Sequence, residues 1–499
     1  MTPVEGLLGA ALTVRGAQVH FLLCDGLLPA CQMQTFSDLS DRAGRLSEPA
    51  RLLLCRQCQD RAQKSYGPFG LPIHWLSQWV EAGEREAIRR KARSVPVEEI
   101  ENFEEGGLTL GEQAHAGALR FFARGNLEGE PLREEMFRRY FEAALLTKTA
   151  VERLFEHHHY SACVFHHGIY VPQGVIGDVA RQKGVRVVNW NPAYRKRRLI
   201  FSHHDTYHRT LMQERTAAWE DIPWNAGLDA RLEGYLKSRR NGAEDWISFQ
   251  HGNGSGPEHW FGSPDFSSEK PAVLLLTNVA WDARLHYAAN AFPDMMSWIY
   301  ETIEYFRWRP ELQLLIRVHP AEILGTPRSR QQVAAEIRRL CPVLPSNVFV
   351  IGPEERVNTY ALAERCDAAL IYGTKTGVEL AAQGIPVIVA GEAWIRNKGI
   401  SLDASSKEEY LALLGRLPMG KRLDDAVRER ARKYAFHFFF RRMIPVESLI
   451  ERKGLWPPLR TEVEDLDSLS PGRDPGLDVI CDGILSGSDF VYPEEALNR

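Results

Sequence analysis

Two stretches of the chain alternate most clearly between apolar and polar positions. In Leu312–Pro320 an apolar run ends in Arg317-Val318-His319-Pro320, which predicts a short buried strand that delivers Arg317 and His319 at its carboxyl end. In Asp367–Val389 the order is apolar run, Gly/Thr loop, helical spacing, Gly384 and a second apolar run, a strand–helix–strand unit. In open parallel sheets ligands sit outside the carboxyl ends of the strands, and a helix amino terminus offers N–H groups to an anion. The loop from Tyr372 to Thr376 is therefore expected to hold a nucleotide mono- or diphosphate.

The same alternation recurs upstream. Ala162–Phe165 predicts a strand ending in His166-His167-Gly168, followed by a helix from Gly174 to Lys183 and a strand from Val185 to Trp190. Ala272–Asn278 predicts the strand that opens a second domain, with Trp281-Asp282 just beyond it. The chain begins on a helix that ends at Arg15-Gly16, with a strand over Ala17–Leu23, whereas a Rossmann half normally begins with a strand. Val80–Leu119 reads as charged and helical with a solvated face, and Pro131–Phe155 as a long helix. The Gly/Ser/Pro-rich stretch His251–Pro264 is the strongest linker signal. The expected domains are 1–262, with a cysteine-containing segment at 24–58 and a helical insert at about 80–155, then 263–430, then terminal helices and a tail at 431–499.

Composition narrows the function. With 499 residues, 44% apolar and 25% charged, the chain is long enough for two or three domains, and a net charge of −4 argues against a dedicated nucleic-acid binder. No apolar run reaches the roughly 18 residues of a membrane span, and the opening Leu7–Leu12 run is short and flanked by Glu5 and Arg15. A cytoplasmic protein is expected, with peripheral contact at the inner membrane face open. Cys24, Cys31, Cys55 and Cys58 fall within 35 residues, and Cys55-Arg56-Gln57-Cys58 has a spacing that can chelate a metal. A structural zinc or iron–sulfur site and simple buried thiols are both open there.

The order Arg317-Val318-His319-Pro320, Tyr360 to Asp367, Tyr372-Gly373-Thr374-Lys375-Thr376-Gly377 and Gly391 to Gly399 resembles the donor half of bacterial capsule and surface-polysaccharide glycosyltransferases. The similarity is densest from about Leu274 to Tyr410, and the His-Pro pair is similar to that of the Kdo- and sialyltransferase members. The resemblance implies an α/β GT-B fold, two Rossmann-like domains facing a cleft, with C-terminal helices crossing back to the first domain. It implies an inverting, metal-independent transferase with a nucleotide-sugar donor, a CMP-sugar preferred, and a glycan or lipid-linked glycan acceptor.

Donor contacts are then expected from Arg317, His319, Tyr360, Tyr372, Gly373, Thr374, Lys375, Thr376 and Glu379. Thr374 as a helix cap, His319 as a core residue and Glu379 as a solvated or capping residue are the structural alternatives. His166, His167 and Asn278 are expected on the acceptor side. The general base is sought in the order His167, Asp282, His166, and His319 joins the catalytic set through the leaving phosphate. A metal site at His157-His158-His159 is open, but consecutive histidines diverge, so surface imidazoles are expected. Tyr194–Arg198 is a basic cluster that could meet an acidic glycan or lipid phosphate, or be a solvated loop. A CDP-alcohol glycerophospho- or ribitolphosphotransferase, and a non-catalytic GT-B-like scaffold, are the competing readings.

Overall fold

The computed structural model describes residues 2–36, 47–249, 258–261, 266–452 and 458–496. Its strands in chain order are β1 (Phe21–Leu23), β2 (Ile73–Trp75), β3 (Ala162–His166), β4 (Arg186–Pro192), β5 (Arg198–His203), β6 (Ala272–Leu276), β7 (Gln313–Arg317), β8 (Val348–Ile351), β9 (Ala368–Ile371), β10 (Val387–Val389), β11 (Leu402–Asp403), β12 (Met443–Pro445), β13 (Leu449–Glu451) and β14 (Leu459–Thr461). They fall into two compact α/β units. The first comprises 1–207, 281–285 and 442–492, and the second 208–280, 286–441 and 493–499.

The second unit is built on a six-stranded sheet in the order β11-β10-β9-β6-β7-β8, every pairing of which is parallel. Its β6, β9 and β10 are continuous apolar runs, as strands of a sheet covered on both faces by helices are. β6, β7 and β9 are buried at every position. Read from β8 to β11, the sheet follows the doubly wound order 3-2-1-4-5-6, so the order in which strands are added reverses between β6 and β9. Polar side chains start the helices: Asp294 accepts from the Ser297 amide at 2.9 Å, and Asn358 from the Tyr360 amide at 3.0 Å.

The first unit has a smaller mixed sheet, β12-β5-β4-β3, in which only β3 and β4 run parallel. Its hydrophobic core is mostly helical, formed by Leu110–Phe122 against Arg133–His157. The helix Leu110–Phe122 is buried on all but two positions, so the solvated helical face expected through Leu119 stops well before it. This reflects a run of Ala, Gly and Phe that lets the two helices approach closely, with Gly117 lying against the Tyr140 ring.

The α/β architecture expected from the resemblance is observed, including the return of the carboxyl-terminal segment, whose β12 pairs with β5. The expected boundaries at 262 and 430 differ from the compact units. The helix Ala226–Ser238 belongs to the second unit because Asp229 and Glu233 receive Arg432, at 2.5 and 3.1 Å. The linker signal lies outside the described residues except at 258–261. The basic Tyr194–Arg198 cluster is used internally: Arg197 donates to the carbonyls of Leu449 (3.0 Å) and Glu447, and Arg198 to that of Met443 (3.0 Å). Among the described residues no helix is long and apolar enough to cross a membrane.

Candidate active site

The strand register places the end of β6 level with β7 on one side and β9 on the other, with Leu276 opposite both Arg317 and Ile371. The residues that follow, Thr277-Asn278, Val318-His319 and Tyr372-Gly373, therefore surround the point where the strand order reverses. Thr277, which is buried, accepts the His319 peptide N–H at 2.9 Å. His319 Nδ1 accepts the Ala321 amide at 3.0 Å. A ring nitrogen that accepts cannot also carry the proton of the neutral imidazole, so Nε2 is the donor. Asn278 Oδ1 is buried and has no hydrogen-bond partner among the described residues.

The loop after β9 leads into the helix Thr376–Ala382. Gly373 is exposed, and a Cβ added there would meet nothing nearer than 3.5 Å. Thr374 Oγ1 lies 3.2 Å from Thr376 Oγ1 and accepts the Thr376 amide at 3.4 Å. Both threonines are half-buried.

The other donor-side candidates are placed as supports. Arg317 is 3% exposed and gives its guanidinium to the carbonyls of Gly352 and Glu355, the latter at 2.9 Å. Burial lowers its pKa to about 10. It fixes the loop after β8. Tyr372 donates to the Phe292 carbonyl at 2.7 Å. Glu379, expected to meet a ribose, is fully buried. It receives Lys375 Nζ at 2.7 Å, Arg239 Nη2 at 3.3 Å and the Tyr360 hydroxyl. Burial pushes the Glu379 carboxyl upward, but Arg239 and Lys375 outweigh it and hold its pKa below the ordinary value. Arg239 also pairs with Asp245, which accepts the Tyr235 hydroxyl at 2.9 Å. Two cations and two carboxylates thus form a charge-matched floor beneath the Gly/Thr loop. Lys375 belongs to that floor, because a neighbouring carboxylate is available one helical turn away.

In the first unit, His166 and His167 end β3 and enter a strained turn. His167, Gly168 and Tyr170 have φ of 70°, 78° and 72°, in the left-handed region. Gly168 is required there: a Cβ would lie 2.1 Å from Asn189 Oδ1. Asn189 is buried, and both its amide atoms lack a hydrogen-bond partner among the described residues. Burial, then His167, lowers the His166 pKa well below its usual value, so His166 is a weak base. Asp282 Oδ1 is held by Arg120 at 2.5 Å and by the Tyr170 hydroxyl at 3.1 Å, and Arg120 also donates to that hydroxyl at 2.7 Å. Sequence reading missed Arg120, Tyr170 and Thr277, since a lone Arg in a helix or a Thr after a strand carries no motif.

The four cysteines are free thiols, and burial raises the Cys31 pKa to about 12. Among the described residues no group of three or more His, Cys, Asp or Glu is arranged to hold a metal ion. A hollow of about 480 Å³ lined by Lys270, Arg365, Asp367 and Arg422 opens at the opposite, amino ends of β6 and β9.

No protein-family model and no curated protein sequence matches the chain. Solved structures similar to it include a β-Kdo 2,4-transferase, KpsC, of Thermosulfurimonas dismutans, at 17% identity over 55% of this chain and 79% of that one, TM-score 0.36. A UDP-GlcNAc 2-epimerase from Neisseria meningitidis bound to UDP-GlcNAc is similar at 15% identity, over 59% and 76%, TM-score 0.27. The glycotransferase of kitacinnamycin is similar at 12% identity, over 87% and 90%, TM-score 0.22. Likenesses this distant assign no activity to the chain.

Proposed function

We propose that this chain is a glycosyltransferase that moves a sugar from a nucleotide-sugar donor to a capsule or other surface-polysaccharide acceptor. One observation carries the reading: Asn278, His319 and the Gly373–Thr376 loop surround the reversal point of a doubly wound parallel sheet, over a floor whose buried charges are already matched. The donor phosphate lies on the loop, against its N–H groups and the hydroxyls of Thr374 and Thr376. His319, its ring fixed by the Ala321 amide, donates from Nε2 to the departing phosphate oxygen. Arg317, Lys375, Tyr360, Tyr372 and Glu379 shape the site from beneath.

Transfer is inverting and needs no metal. The acceptor hydroxyl oxygen bonds to the sugar's anomeric carbon, the bond from that carbon to the phosphate oxygen breaks, and the hydroxyl proton passes to a base. We assign that base to His167, because burial makes His166 a weak base and Asp282 is engaged by Arg120 and Tyr170.

Thermal melting of the full chain with CMP-, UDP-, GDP- and dTDP-sugars tests the reading, a CMP-sugar being the first choice. A ligand at 100 times its Kd should stabilise the protein by about 2.7 kcal/mol. No shift with any nucleotide sugar overturns the proposal. Product mass then decides the chemistry: a hexose or ulosonic increment supports it, and a phosphate-bearing increment replaces it with CDP-alcohol phosphotransfer.

A further inference from the structure

The hollow at the amino ends of β6 and β9 lies at the opposite end of the sheet from the Gly/Thr loop, and the donor site does not use it. Three stretches of chain wall it: the approach to β6, which brings Lys270, the approach to β9, which brings Arg365, and Gly420–Arg422. Its volume of about 480 Å³ falls in the range of small-ligand sites.

The charge of this lining is unbalanced. Lys270, Arg365, Lys421 and Arg422 stand against two carboxylates, Glu269 and Asp367. Asp367 already accepts two peptide N–H groups, of Met419 at 2.6 Å and of Gly420 at 2.9 Å. Three of the cations are fixed by neutral partners. The Arg365 guanidinium stacks over the Phe261 ring at 4.5 Å, Arg422 donates to the carbonyls of Cys366 at 2.9 Å and Glu364 at 2.5 Å, and Lys270 donates to that of Pro310 at 2.7 Å. Lys421 has Asp424 at 3.4 Å, but both side chains are largely exposed, where such a pair contributes little.

A cation held by a ring or a carbonyl is positioned yet keeps its charge, and most N–H groups of these three are left for an anion. The floor beneath the Gly/Thr loop is the reverse case, with Arg239 and Lys375 matched by Glu379 and Asp245. Phe261, Phe266 and Pro271 add an apolar wall beside the cations, suited to the C–H face of a sugar ring. A net charge of −4 disfavours a nucleic acid as the source of the anion.

We infer that this hollow is a second, non-catalytic binding site for a short acidic saccharide bearing carboxylate or phosphate groups. It holds an acidic stretch of the polysaccharide away from the donor loop. That role rests on the proposed function, whereas the anion chemistry rests on the lining alone.

Calorimetry of the full chain at low salt, without donor, tests it with trigalacturonate as the carboxylated probe, mannose 6-phosphate as the phosphorylated one and maltotriose as the neutral control. A charged probe should bind and maltotriose should not, and the probe that binds identifies the anion. Arg365→Gln combined with Lys421→Gln removes two charges that make no backbone hydrogen bond among the described residues, and should weaken binding by ~10-fold. Salt at about 1 M should weaken it comparably. His167→Ala should leave it unchanged, and circular dichroism checks that each variant folds. No binding of either charged probe, equal binding of maltotriose, binding that survives the double variant or is lost with His167→Ala, or CMP binding more tightly than the saccharides in a manner the double variant abolishes, overturns the inference. With no donor present, these outcomes are independent of whether the chain turns over a nucleotide sugar.

Discussion

The carboxyl ends of the strands are used in opposite ways by the two units. In the second, strained backbone is absent from the described residues around β6, β7 and β9, and charge is handled below the loop by the Arg239–Glu379–Lys375–Asp245 network. In the first, three left-handed residues crowd the end of β3, and Asp282, half-exposed, is held from one side by Arg120. An all-parallel sheet with matched buried charge can leave Asn278 and the Gly/Thr loop open to a ligand. The mixed sheet reaches its geometry through backbone strain, a reservoir that surrounding packing must sustain.

The largest test of this contrast is Glu379→Ala. It leaves Arg239 and Lys375 buried beside Asp245 alone, and should cost about 3–5 kcal/mol in urea unfolding. A loss under 1 kcal/mol would mean that the floor is not structural. Glu322 offers a pH test of about 3 kcal/mol. It is buried, accepts the Val333 amide at 3.1 Å, and burial raises its pKa from the ordinary 4.5 to about 7. Its folded pKa lies above its unfolded one, so stability is fully present below about pH 4.5 and declines as pH rises to about 7. Glu322→Gln should remove that decline, and unchanged pH dependence of Tm would show that the carboxyl is solvated.

His319→Ala should lower turnover by ~10²-fold per folded molecule. It should also cost a few tenths to about 1 kcal/mol, since the Ala321 amide loses its acceptor. Normal turnover at reduced Tm would make His319 a capping residue. In the first unit Arg120→Ala should cost about 2 kcal/mol, less than Glu379→Ala, by removing the charge-assisted bonds to Tyr170 and Asp282. If it costs more than Glu379→Ala, the contrast between the units is reversed.

The second unit was legible in the sequence because β6, β9 and β10 are uninterrupted apolar runs of Leu, Ile, Val and Ala, punctuated by Gly373 and Gly384. The first was less so. β12 completes its sheet from a distance of over 200 residues, and no local pattern marks Met443–Pro445 as the partner of Arg198–His203. Lys375, Glu379 and Tyr360 were visible as a motif, but not their direction. That depends on Arg239 and Asp245, which come from another stretch of chain.

β12 also bears on how the protein is made. A ribosome releases β3, β4 and β5 long before Met443–Pro445 exists, so the edge of β5 stays bare while some 240 further residues emerge. Such an edge is a template for strand addition by any neighbouring nascent chain. Stalled or truncated products ending near residue 440 would keep that edge and should be the aggregating species during synthesis.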